Sequence, residues 1–195
     1  MKNALLLILV ICATDQSFAQ TSKRDYMVVP VISQQPIYLK GGPRGMGRRS
    51  SRQFLPINLP ANTVAWYYTV TTRSRKGRFP NSDLTGQLVK LVDPVHGIAA
   101  KATVTVPNGT GVCDVYLMTD PHEVNRYVNK LPAASFLMND SRENYISGAV
   151  QVRDFLDGSC YLVIRNPSSS RGLNVNIEVT AIVLSSIVGG STVMQ

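Results

Sequence analysis

Histidine is nearly absent from this chain, and with it most of the chemistry that histidine serves. His96 and His122 stand alone, each beside a proline-bearing turn, with no cysteine or second histidine at metal-ligand spacing. No Gly-x-Ser-x-Gly elbow occurs to present a nucleophile. Acids are scarce as well, 12 against 20 lysines and arginines, for a formal net charge of +8. Paired carboxylates facing one cleft, as glycoside hydrolysis requires, do not stand out among so few. These shortages point away from an enzyme, a metal site or a bound cofactor.

Long hydrophobic runs are missing too, with one short exception. The first twenty residues read MKNALLLILVICATDQSFAQ. Lys2 gives a positive start, residues 4–13 are apolar, and Ser17-Phe18-Ala19 offers small residues where a signal peptidase reads. The run is about ten residues, half of what a membrane span needs. The expectation is a secretory signal at 1–19, cleaved after Ala19. Ile11 ahead of Cys12 does not suit a lipoprotein signal, which wants a small residue there. The mature chain would then be exported across the inner membrane to the periplasm or the cell surface.

Only three cysteines occur, and Cys12 leaves with the leader. Cys113 and Cys160 remain, an even pair in an oxidising compartment. Their settings, GVCDVYLM and GSCYLVIR, each place a cysteine at the opening of an apolar strand. A Cys113–Cys160 disulfide is the favoured reading, closing a loop of about 47 residues at roughly 4 kcal/mol of stabilisation. Two separate buried thiols are the alternative.

What the chain does have is alternation. Residues 63–72 (TVAWYYTVTT), 99–106, 112–118, 145–152, 160–165 and 173–184 each read as strands, rich in β-branched and aromatic residues. In the last, Leu173, Val175, Ile177, Val179, Ala181 and Val183 line one face, and Asn174, Asn176, Glu178 and Thr180 the other. PNG, DP, DGS and NPSSSRG mark the turns. Residues 84–91 suit a short helix or another strand. Residues 122–129 suit a short helix capped by Asp120, with Pro121 at its first position. The pattern predicts an all-β protein, an antiparallel β-sandwich or jelly roll with one or two short helices. Its parts would be the signal at 1–19, N-terminal strands and a basic loop at 20–53, the sandwich at 54–185, and a tail at 186–195. Trp66 and Tyr68 fall on one face of their strand and Tyr67 on the other. They read as core anchors or, more sharply, as a platform for a sugar or peptide.

Two segments resemble a known kind of module. LPINLPANTVAWYYTVTTR leads from Asn-Leu-Pro into the tryptophan strand. GSCYLVIRNPSSSRGLNVNIEVTAIV runs through a tyrosine strand and an Asn-Pro-Ser turn into a long alternating strand. Together they resemble extracytoplasmic jelly-roll modules of the Golgi-dynamics and bacterial prepeptidase C-terminal kinds. The resemblance implies an accessory module that binds carbohydrate, protein or a surface. Some such domains hold calcium through acidic loops. Asp114, Asp140, Glu143, Asp154 and Asp157 are too scattered here for the ligand density calcium wants.

One stretch departs from alternation: LKGGPRGMGRRSSRQ, residues 39–53. It is not a phosphate loop, because arginines stand where a P-loop needs lysine and a hydroxyl at a helix start. From residue 40 to residue 78 the cations are Lys40, Arg44, Arg48, Arg49, Arg52, Arg73, Arg75, Lys76 and Arg78, and no acid follows until Asp83. If residues 54–59 pair antiparallel with residues 66–72, the two basic loops emerge at one end of the sandwich. Arginine's forked donors suit carboxylate and phosphate groups. The expectation is a non-catalytic envelope module that binds a protein complex or an anionic surface polymer or lipid through these cations, touching membrane only peripherally. Export and the lack of a recognition motif set nucleic acid aside. The alternative is a carbohydrate-recognition sandwich using Trp66, Tyr67 and Tyr68.

Overall fold

A computed structural model describes residues 24–41, 50–73, 79, 82–98, 103–131 and 135–186. The expected signal, the tail beyond Ser186, and Arg44, Arg48, Arg49, Arg75, Lys76 and Arg78 lie outside the described residues. In chain order the elements are β1 (Arg24–Leu39), β2 (Arg52–Asn58), β3 (Thr63–Arg73), α1 (Leu84–Leu91), β4 (Val92–Asp93), β5 (Gly97–Ile98), β6 (Cys113–Met118), α2 (Pro121–Val128), β7 (Leu137–Tyr145), β8 (Ser147–Val152), β9 (Ser159–Arg165) and β10 (Leu173–Ser186).

Two four-stranded antiparallel sheets face each other, in the orders β1-β10-β3-β8 and β2-β9-β6-β7; β4 and β5 form a small separate ribbon. The pairings are nested: β1 with β10, β2 with β9, β3 with β8, β6 with β7. Successive pairs fall in opposite sheets. The chain is thus one long antiparallel hairpin rolled up on itself, which is the jelly-roll plan. The expected fold class is what is found. The sandwich begins at β1 rather than at residue 54, because β1 runs along β10 as an edge strand. Strand prolines Pro30, Pro36 and Pro56 all lie on the edge strands β1 and β2, where a missing N–H breaks no ladder.

Alternation fills the core from both sheets. Trp66, Tyr68, Val70 and the odd-numbered face of β10 meet Ile57, Val115, Leu117, Leu162 and Ile164. Trp66 and Tyr68 are fully buried, and their polar tips are answered. Trp66 Nε1 donates to the Phe155 carbonyl at 2.7 Å, and the Tyr68 hydroxyl to the Asp140 carbonyl at 2.6 Å. Tyr67 points to the other side and is buried under α1 with Ala65, Leu84, Leu88 and Ile182. A sugar platform needs exposed ring faces, so the platform reading of Trp66, Tyr67 and Tyr68 is corrected: all three are core residues.

The disulfide is corrected as well. Cys113 and Cys160 are free and buried. Both open strands, as expected, but β6 and β9 run antiparallel, with Asp114 opposite Arg165 and Met118 opposite Tyr161. Strand openings therefore lie at opposite ends. Six positions along the ladder separate the two, roughly 20 Å at the usual rise, where a bridge needs Cα atoms within about 7 Å. Burial pushes both thiols up to about 12, Asp114 adding to the effect at Cys113, so both stay protonated at neutral pH.

Each outer face carries one helix. On α1, Asp83 caps the first turn, and Glu178 reaches up from the centre of the sheet. Its Oε1 accepts from Ser82 N (3.2 Å) and Ser82 Oγ (2.5 Å), and its Oε2 from Leu84 N (2.9 Å). On the other face α2 starts as the sequence predicts, with Asp120 accepting from His122 N and Pro121 at its first position. Val124, Tyr127 and Val128 cover Tyr116, Met118, Tyr161 and Val163. The expected strand at 99–106 is not found over its described part. Residues 103–109 carry no strand, and Thr105 pairs instead with the side-chain amide of Gln87 on α1.

Candidate functional site: a basic pole and its cleft

Strand direction decides which cations meet. Leu39 sits opposite Leu173 and Arg73 opposite Asn174, so the ends of β1 and β3 flank the start of β10. Arg52, at the start of β2, sits opposite Arg165 at the end of β9. Lys40, Arg52 and Arg73 therefore share one pole of the sandwich. The reason differs from the expected one. Residues 54–59 do not pair with residues 66–72; β2 and β3 lie in opposite sheets, joined across the core by the 59–62 connection. Because the two strands still run in opposite directions, their basic ends coincide.

Asn166 knots this pole together. Its Nδ2 donates to the carbonyls of Lys40 (3.1 Å) and Arg171 (2.8 Å), its backbone N–H donates to Ser51 (2.9 Å), and its Oδ1 accepts from Ser168 N. Lys40 N donates to the Ser50 carbonyl at 3.3 Å, closing the base of the segment that carries Arg44, Arg48 and Arg49. Gly41 is required at this base. A Cβ there would come within 2.4–2.6 Å of the Arg171 backbone.

Beside the knot, on the outer face of the β2-β9-β6-β7 sheet, is a cleft of ≈ 250 Å³. Ser51, Arg52, Lys130, Arg165 and the 166–169 turn line it, and no carboxylate does. Arg52 donates from Nη1 to the Tyr127 carbonyl at 2.6 Å, and its guanidinium carbon lies 4.2 Å from the centre of the Tyr127 ring. Arg165 meets Asp114 through Nε, 3.5 Å from Oδ2, while Asp114 Oδ1 accepts from Asn144 N.

Lys130 arrives by an unusual route. Leu131 N donates to Arg126 O and Lys130 N to Tyr127 O, the two bonds of a Schellman ending to α2. Lys130 takes the left-handed position of that ending, φ 62°, where glycine is the usual occupant. A residue with a Cβ there costs about 1 kcal/mol.

Arg165, Lys130 and Asp114 were not among the sequence candidates. Alternation does put Arg165 on the outer face with Tyr161 and Val163, immediately before the Asn-Pro-Ser turn. Nothing local announced that Arg52 would lie across from it. His96 stays exposed, its Nδ1 3.0 Å from Asp93 Oδ1. Among the described residues no group of three or more His, Cys, Asp or Glu is arranged to hold a metal, and no helix is long and apolar enough to cross a membrane. Compared with known proteins, the chain matches no protein-family model and no curated sequence. What fold and site define is a class: a jelly-roll β-sandwich with a cationic pole and a donor-lined cleft.

Proposed function

We propose that this chain is an exported, non-catalytic envelope module that docks on an anionic surface polymer through its basic pole. The supporting observation is the convergence of Lys40, Arg52 and Arg73 on the pole from which both arginine-rich segments depart. The stretch from residue 40 to residue 78 carries no acid in its sequence. Cations clustered at a protein surface attract polyanions over a distance set by salt, about 8 Å at physiological ionic strength. The likeness to Golgi-dynamics and prepeptidase C-terminal modules fits an accessory role of this kind. The carbohydrate-reading alternative loses the aromatic platform on which it rested.

The test is binding of the mature chain to isolated envelope polymer at low salt and at about 1 M sodium chloride, where screening shortens to about 3 Å. Capture is expected at low salt, release at high salt, and loss in a variant with Lys40, Arg48, Arg49, Arg73 and Arg75 changed to serine. Undiminished capture by that variant would refute the reading. Export is checked separately by the N-terminus of the protein from its native host, expected at Gln20.

A further inference from the structure

We infer that the basic pole ends in an apolar tip that dips into an anionic lipid surface; that the docked polymer is met at a bilayer rests on the function proposed above. The tip is Val112 and Ile146. Both are exposed, at 36 % and 47 % of their surface. The β6·β7 ladder begins with Cys113 opposite Tyr145, so the residues just beyond it, Val112 and Ile146, leave the sandwich side by side. Their neighbours fix the end at which they emerge. Asp114 faces Arg165 and Ser147 faces Thr71, which puts both turns at the basic pole.

Thr72, fully buried at the end of the core, holds the two turns together. Its hydroxyl lies 2.6 Å from the Gly111 carbonyl and 2.7 Å from the Ile146 carbonyl, and it accepts from Gly111 N at 3.1 Å. Thr110 N donates to the Thr72 carbonyl at 3.0 Å, and Gly109 N to Ser147 Oγ at 3.2 Å. A Cβ on Gly109 would collide with the Ile146 carbonyl, so the turns are closed as tightly as glycine allows. Two aliphatic side chains are thus held toward water by a fixed frame.

Single exposed aliphatics need no explanation; the surroundings of this pair decide its partner. At the opposite pole Val64 and Met138 are exposed too, but the turns there carry Asp120, Asp154 and Asp157. At this pole the strand ends carry Lys40, Arg52 and Arg73. Residues 42–49, whose flanks Lys40 and Ser50 are bonded to each other here, add Arg44, Arg48 and Arg49 in sequence. A negative membrane surface draws such cations to its headgroups, and short aliphatic chains between them reach the acyl boundary beneath. A polyanion in water answers the cations and leaves the aliphatic pair wet. An anionic bilayer answers both.

The experiment sediments the mature chain with phosphatidylcholine vesicles, with and without phosphatidylglycerol. Binding is expected only where phosphatidylglycerol is present. Changing both Val112→Ser and Ile146→Ser should weaken it at least about tenfold, because two aliphatic side chains no longer leave water. Both positions are exposed and the Thr72 bonds run to main-chain atoms, so this variant should keep its Tm. A second variant reads insertion directly. Trp66 is the single tryptophan and is fully buried, so in Ile146→Trp a change of emission on binding reports the tip. A blue shift with anionic vesicles is expected, with quenching by lipids brominated in the acyl chain. No binding, equal binding to both kinds of vesicle, undiminished binding by the serine variant, or an emission unchanged by vesicles would overturn the inference. The two readings fail separately. If isolated polymer is captured and anionic vesicles are not bound, the tip is wrong and the docking pole stands. If vesicles are bound through the tip and isolated polymer is not captured, the tip stands and the polymer reading falls.

Discussion

The two outer faces of the sandwich solve the same problem in opposite ways. Each sheet has a charged row that a short helix partly covers. Under α1, the single carboxylate of Glu178 is 3 % exposed and is met by three donors from the 82–84 turn. The helix, the turn and the sheet close into one unit. Under α2, two arginines oppose each other, one carboxylate serves only the second, and a lysine is added from the helix ending. One face buries its single carboxylate under a full set of donors, and the other leaves its arginines half-buried at the rim of a cleft.

The largest expected effect falls on the face under α1. Glu178→Ala leaves the Ser82 and Leu84 donors buried without acceptors and opens a void, costing about 3 kcal/mol. For a chain of this size that is a Tm drop of about 6–12 °C, read by thermal unfolding. Next is Asp114→Asn on the cationic face. The Arg165 side chain is 39 % exposed, so solvent screening discounts the loss to about 1 kcal/mol. A Tm drop as large as that of Glu178→Ala would erase the contrast between the faces.

Lys130→Gly is expected to move stability the other way, by about 0.5–1 kcal/mol upward less the entropy glycine restores to the unfolded chain. Urea unfolding measures the balance; a clear loss would mean the lysine side chain serves the fold. The smallest effect concerns Asp140, on β7 of the cationic sheet. Its Oδ2 is buried without a partner, and burial pushes its carboxyl above the usual range, with Asp154 adding and Arg142 opposing. An acid whose folded pKa is raised contributes most below its unfolded pKa and works against folding as pH rises through the folded one. Asp140→Asn should therefore gain stability at neutral pH and flatten the decline in stability that sets in as pH rises above the ordinary carboxyl range. An unaltered profile would show that Asp140 finds a partner in solution.

Much of the fold was legible before the structure. The β10 alternation named its inner face, the Asp-Pro pair named the start of α2, and strand spacing named the sandwich. The misreadings share one cause. Residues 103–106 keep an alternating exposure, with Val104 and Val106 turned inward, yet no strand lies beside them and Gln87 takes the Thr105 backbone groups. Cys113 and Cys160 occupy matching places in their strands, and antiparallel pairing sends those places to opposite ends. Trp66 and Tyr67 read first as core anchors, with a surface platform as the sharper alternative, and α1 covers the second face that the alternative needed.

The sequence by itself determined the period of each strand, and so which side chains share a face and which loops are basic. That follows because alternation is a local property, set by the pleat of two neighbouring residues. Which strand lies beside which is a matter of long-range closure and was decided only in three dimensions. Tertiary structure put Arg52 across from Arg165, brought Lys130 to the same cleft, and held the thiols apart, because pairing and direction belong to the whole rolled hairpin and not to any one stretch of it.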